Sequence, residues 1–196
     1  MTILLYQGHG SFRITSQNGY VIYVDPFAGE GYDKPADLIL VTHQHYDHNQ
    51  VDKVTKKDSC QIIQNFDALV DGQYKTFKFN DIEVQAVPAY NENHDPNECV
   101  GYIITVDGIK IYAAGDTSTT KEMAKFKDLN LDYALLPIDG IFNMDPVEAT
   151  SCANIIAPKY AIPYHMKPKY LYDDEMANKF TAKNRLIIKA GEEIYL

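Results

Sequence analysis

Short apolar runs alternate along the chain with polar, turn-forming stretches, and the runs have the length of strands. Ile3–Tyr6, Phe12–Ile14, Tyr20–Val24, Leu38–Val41, Ile82–Ala86, Tyr102–Val106, Ile109–Ala113, Tyr133–Leu136 and Tyr160–Ile162 are rich in Val, Ile and Tyr. Those residue types suit a pleated, half-buried surface. Asn18-Gly19 and Asp107-Gly108 predict hairpin turns, because both residue types tolerate positive φ. Helical segments are fewer: Phe66–Leu69, Lys121–Asp128, Pro146–Ile156 and Asp173–Lys183. Pro146 at a first helical position, with Asp145 as its N-cap, is a well-formed helix start.

The two halves echo each other. FRITSQNGYVIYVDPF (12–27) and YIITVDGIKIYAAGDTS (102–118) both read strand, glycine turn, strand, aspartate. ADLILVTHQ and LDYALLPIDG follow them as strands leading into polar loops. The pattern predicts a duplicated β-rich unit packed face to face with helices outside, an α/β (α+β) fold. No linker or low-complexity tract divides residues 1–196, so one domain is expected.

Composition narrows the partners. The chain is 45% hydrophobic and 23% charged, enough apolar residues for a real core, and its net charge is −9. That acidity argues against a nucleic-acid or membrane-surface binder. No apolar run is long enough to span a bilayer, and the first residues lack a signal-peptide pattern. Three widely spaced cysteines, Cys60, Cys99 and Cys152, read as reduced thiols in a cytoplasmic protein. A small-molecule substrate is the expected partner, and homo-oligomerisation stays open.

Polar chemistry collects just past the strands. Asp25 follows Tyr20–Val24, and Leu38–Val41 runs into His43, His45, Asp47 and His48. Asp116 follows Ile109–Ala113, Asp139 follows Tyr133–Leu136, and His165 follows Tyr160–Ile162. Half of the six histidines lie within residues 43–48. Imidazole and carboxylate are ligands for Zn²⁺ and neighbouring transition metals. His43 and His45 are two apart and point to one side of an extended segment, while Asp47 and His48 come after a turn. His94, Asp116 and His165 are candidates for the remaining ligands.

THQHYDH resembles the HxHxDH motif of the metallo-β-lactamase superfamily. VDPF, LVTHQHYDH, IYAAGDT and IPYHM follow in the family's order over most of the chain. GHGSF (8–12) and the compact length look like the branch that contains ascorbate-6-phosphate lactonase. The resemblance implies a four-layer αββα sandwich. It implies a metal-dependent hydrolase with two divalent ions, zinc first and Mn or Fe as other metals the donors accept. His43, His45 and a downstream histidine would hold one ion, Asp47, His48 and His165 the other, with Asp116 bridging. Asp47 and Asp116 are then the catalytic carboxylates. Asp25 would orient the ligand loop, or else simply form an Asp-Pro turn.

One departure stands out. Relatives often carry the downstream histidine directly after the strand end, where this chain has Pro88-Ala89-Tyr90-Asn91. Either His94 coordinates from a bulged loop, or Asn91 weakens the first site; His94 is preferred, because no other unassigned histidine lies nearby. His9, between two glycines, is read as a residue at the edge of the site or as part of a turn. Lys167 and Lys169 either grip a substrate phosphate or carboxylate or are ordinary solvated lysines.

Such a centre activates water to hydroxide at neutral pH and keeps a residual positive charge that suits an anionic target, with an ester, lactone or phosphodiester bond of a small substrate as the point of attack. Two other functions compete: a di-iron redox module and a non-catalytic metal-binding domain. Redox relatives tend to place Glu where this chain has His45, and structural zinc sites are usually closed and cysteine-rich.

Overall fold

The computed structural model describes residues 1–196. Two six-stranded sheets carry the chain. The first runs in the order β14 (Glu193–Tyr195), β1 (Ile3–Gly8), β2 (Ser11–Thr15), β3 (Val21–Val24), β4 (Ala36–Leu40) and β5 (Lys56–Ile63). The second runs β13 (Tyr160–Tyr164), β12 (Tyr133–Pro137), β11 (Ile109–Ala113), β10 (Val100–Val106), β9 (Ile82–Pro88) and β8 (Thr76–Phe79). A short hairpin of β6 (Leu69–Val70) and β7 (Gln73–Tyr74) lies between the halves in sequence.

The duplication expected from the sequence is present in the pairing. β1-β2-β3 and β9-β10-β11 are antiparallel meanders, and each is followed by two parallel partners, β4-β5 and β12-β13. Asp107 and Gly108 both take positive φ, as a tight turn between paired Val106 and Ile109 requires. The Asn18-Gly19 turn is looser: only Gly19 is left-handed, and the strands separate at Thr15 and Val21.

Alternation within the strands builds three cores. Ile22, Leu38 and Leu40 face Ile111, Leu135 and Ile162 in a core of 24 buried residues between the sheets. The opposite faces differ. Tyr112, Ala134 and Leu136 of the second sheet lie under α2 (Pro146–Ile156), α3 (Asp174–Lys179) and a 3₁₀ run, Lys121–Leu129, in a core of 20 buried residues. Tyr23, Ile39 and Val41 of the first sheet share only 7 buried residues, roofed by Tyr32 and Val54. Helices cover the outer face of the second sheet, while that of the first is covered mainly by loops. Residues 42–50 are spent on the ligand loop, and only a 3₁₀ turn, Val51–Lys53, fits before β5. The one helix in that half, α1 (Asn65–Ala68), is a single turn.

α2 starts where its sequence says. Asp145 accepts the N–H groups of Val147 and Glu148 at 2.9 and 2.7 Å, satisfying two free donors of the first turn. α3 is shorter than expected, ending at Lys179 before Phe180 turns into the outer core.

The parallel strands β3, β4, β5, β11, β12 and β13 deliver their C-terminal ends to one edge, the usual position for a site in such sheets.

Candidate metal centre

Asp25 anchors this edge. Fully buried after β3, it accepts the N–H and hydroxyl of Thr42, both at 2.7 Å, and faces His48 Nδ1 at 2.8 Å. Asp25 thus contacts both ends of the segment 42–48. The Thr42 hydroxyl, committed as donor to Asp25, can accept from His43 Nδ1 at 3.0 Å. That leaves His43 Nε2 as a bare lone pair, and this buried atom has no hydrogen-bond partner.

The same device recurs around the cluster. His94 Nδ1 is held by Asn91 Oδ1 at 2.9 Å, and its Nε2 lies 3.3 Å from Asp116 Oδ2. His94, not Asn91, therefore turns inward, and Asn91 is the residue that holds it. His165 Nδ1 lies 3.1 Å from Asp139 Oδ2 without forming a hydrogen bond, and its Nε2 is 3.4 Å from Asp116 Oδ1. His48 Nε2 stands 3.3 Å from Asp116 Oδ1 and 3.3 Å from His165 Nε2. His94 and His48 each have one nitrogen hydrogen-bonded from behind and the other aimed at Asp116, the pattern that orients metal-binding imidazoles, while His165 sits between the carboxylates of Asp139 and Asp116. His45, more exposed, stacks edge-on to His43.

Asp116 sits centrally and is buried, and its Oδ1 has no hydrogen-bond partner. Potential ligand atoms fall into three overlapping groups, each within 4.8 Å: His43, His45 and His94; His43, His48 and Asp116; His9, Asp47, His48 and His165. Unpartnered nitrogen and carboxylate atoms this deeply buried are costly unless something pairs with them. The donor set fits divalent metal.

His9 reaches further into the site than its sequence suggested. Its Nε2 lies 3.0 Å from Asp47 Oδ2, and its ring centroid lies 3.8 Å from that of His165, the two rings tilted by 41°. Its backbone carbonyl accepts His165 N–H at 2.9 Å, tying the first turn to the end of β13. A Cβ on Gly10 would come within 2.8 Å of His48 Cε1, so the turn needs glycine there. His9, Asp25 and His165 all adopt left-handed φ, at 52°, 46° and 46°. Such backbone costs about 1–3 kcal/mol per residue and is typical of functional sites.

Charge follows burial and neighbours. Burial opposes charge on His48, but Asp116, Asp25 and Asp47 outweigh it and push the imidazole up to about 9. His165 is raised against the same burial cost by Asp116 and Asp139. His43 and His45 go the other way, lowered first by burial and then by neighbouring histidines. Asp116 stays ionised well below the usual carboxylate range: burial resists, and His165, His48 and His94 prevail.

Lys167 does not face the cluster. Its Nζ pairs with Asp173 Oδ2 at 3.4 Å and lies 4.7 Å from the Tyr170 ring centroid. Three contributors went unassigned from sequence. Asp139 was visible only as an acid past a strand; here it backs His165 and accepts N–H groups from Ile141 and Phe142. Thr42 and Asn65 carried no signal beyond their places after strands.

Comparison with known proteins agrees with this geometry. A family model described as "Beta-lactamase superfamily domain" matches residues 4–165. A UPF0173 metal-dependent hydrolase of Pyrococcus furiosus is 32% identical over the full length of both chains. A crystal structure from Parabacteroides distasonis superposes with a TM-score of 0.78 at 29% identity, covering 97% of this chain and 94% of its own. The metallo hydrolase Igni18 of Ignicoccus hospitalis gives 0.77 at 23% identity, covering 98% and 97%, a likeness of fold. The chain belongs to the beta-lactamase superfamily and is one of its metal-dependent hydrolases.

Proposed function

We propose that the cluster holds two divalent ions and hydrolyses an ester, lactone or phosphodiester bond of a small substrate. His43, His45 and His94 would hold one ion and Asp47, His48 and His165 the other, with Asp116 shared between the two sets. The observation that carries this reading is Asp116: its unpartnered Oδ1 faces His48 and His165, and its Oδ2 faces His94. Nitrogen and oxygen donors without cysteine suit Zn²⁺ first, with Mn²⁺ or Fe accepted by the same set.

When bound, such ions supply Lewis acidity and lower the pKa of a coordinated water. The chain's own residues do the rest. Asp116, kept ionised by its imidazole neighbours, is placed to take the proton of the attacking water on a carboxylate oxygen. Asp47, held at 3.0 Å by His9, keeps its second carboxylate oxygen free for the centre. Asn91, Thr42, Asp25 and Asp139 hold the imidazoles so that no reorganisation is needed as charge develops.

Elemental analysis after reconstitution should return about two transition-metal ions per chain. Activity against generic aryl esters and bis-phosphodiesters should appear with them. A chain that retains no metal under these conditions would overturn the assignment.

A further inference from the structure

We propose that the part of the substrate beyond the scissile bond is uncharged and hydrogen-bonding, a hydroxylated or amide-bearing group, not a phosphate or carboxylate. This rests on the hydrolase reading above and narrows it.

Two clefts open from the cluster. One, of about 600 Å³, lies beside His43, His45 and His94; the other, of about 360 Å³, lies beside Asp47, Asp116 and His165. Neither is lined by a lysine or an arginine. The wall of the larger cleft is built instead of side-chain amides. Gln44 donates to Asn65 Oδ1 at 2.8 Å, and Asn65 donates to the Glu98 carbonyl at 2.8 Å. Asn97 and Asn93 continue the wall, with Asn97 tied to Asp95 at 3.0 Å. Amides offer both donors and acceptors, and these are held in place before any ligand arrives.

The apolar faces point the same way. Phe66 lines the larger cleft and Phe142 the smaller, both exposed, so each can pack on an uncharged ligand. The charges at the larger mouth are carboxylates, Asp95 and Glu98, which repel an anion. Two candidate cations are engaged elsewhere. Lys167 is paired with Asp173, and Arg13 is buried in the first sheet against Glu193 and the Gly31 carbonyl. Within the two clefts an anionic group would therefore meet no cationic side chain, and the metal ions would already be taken by the reacting group. A second anion placed in the cleft would be desolvated without a partner.

The test uses two matched hydroxamates, whose common head chelates metal. One carries an arm ending in a hydroxyl; the other ends in a sulfonate, an anion that ligates metal poorly. Calorimetric titration of the zinc-loaded protein at low salt should show the hydroxyl arm binding about tenfold more tightly. The exposed-loop variant Asn97→Lys should narrow that gap by strengthening the sulfonate arm. Equal or tighter binding of the sulfonate arm by the unmodified protein overturns the proposal and leaves the hydrolase reading standing. Failure of both hydroxamates to bind, with no metal retained, overturns the hydrolase reading and this inference with it.

Discussion

Asp116 separates a metal centre from a merely buried polar cluster. Asp116→Asn keeps the shape of the side chain but removes its charge and one anionic oxygen. Four imidazoles face it: His94, His48 and His165 at 3.3, 3.3 and 3.4 Å, and His43 with a ligand atom within 4.8 Å. The variant should retain the far-ultraviolet circular dichroism of the parent, lose one of the two proposed metal ions, and lose activity by roughly two or more orders of magnitude. Near-normal turnover with both ions bound would show that Asp116 does not bridge. Gross unfolding would mark it as structural. Much of this neighbourhood could be read from sequence, because HxHxDH, Asp116 and His165 stand in fixed relation to strand ends. His94 could be read only by elimination, since the loop Asn91–His94 closes through a local bridge that no spacing announces. Asn65 and Gln44 were invisible, because a side-chain amide after a strand looks like any solvated loop residue until two loops meet.

Among the elements, the strands that face both a partner sheet and an outer layer announced themselves as continuous apolar runs. Those with one wet side did not. β5 reads KKDSCQII and is exposed along most of its length, so its polar edge character hid it. β14, Glu193–Tyr195, contributes three residues to the other edge of the same sheet and escaped notice for its shortness. Helix ends were clearer, and one carries a correctable flaw. α2 stops at Ala157, whose N–H bonds to the Ala153 carbonyl at 2.8 Å while its φ is 52°. A left-handed C-terminal residue is where glycine is preferred, since a Cβ there costs about 1 kcal/mol. Ala157 is exposed, so Ala157→Gly loses no packing. The exchange should stabilise the protein by about 0.5–1 kcal/mol, set against the greater freedom of glycine in the unfolded chain. Differential scanning calorimetry should show a rise in Tm of about 1–4 °C. A fall would mean that the unfolded-state term dominates at this position.

For the molecule as a whole, the site is a concentration of opposed charges assembled by both sheets, and the metal-free protein should register this in its response to pH. His48 is raised to about 9 from an ordinary 6.5, so protons bound there favour the folded state. The sign follows: that contribution is complete below about pH 6.5 and is lost as pH rises toward 9. At 1.36 kcal/mol per unit it amounts to about 3 kcal/mol across the interval, with His165 adding in the same direction. His43 and His45 are lowered, so they act oppositely, and their cost appears only as pH falls below the ordinary imidazole value. Metal-free protein should thus be most stable near pH 6.5, with Tm falling by several degrees by pH 8.5. Cys99 and Cys152, pushed up to about 12 by burial, start from an ordinary value of 9.0 and add their loss mainly above this window. Metal loading should abolish the decline, because ligated imidazoles are neutral and no longer titrate, and metal affinity rises as the protons leave. Thermal unfolding in chelator and in zinc, from pH 5.5 to 8.5, makes the comparison. A metal-free Tm that is flat or rising between pH 6.5 and 8.5 would mean that the carboxylates around His48 do not hold its proton, and that the cluster needs its ions merely to assemble.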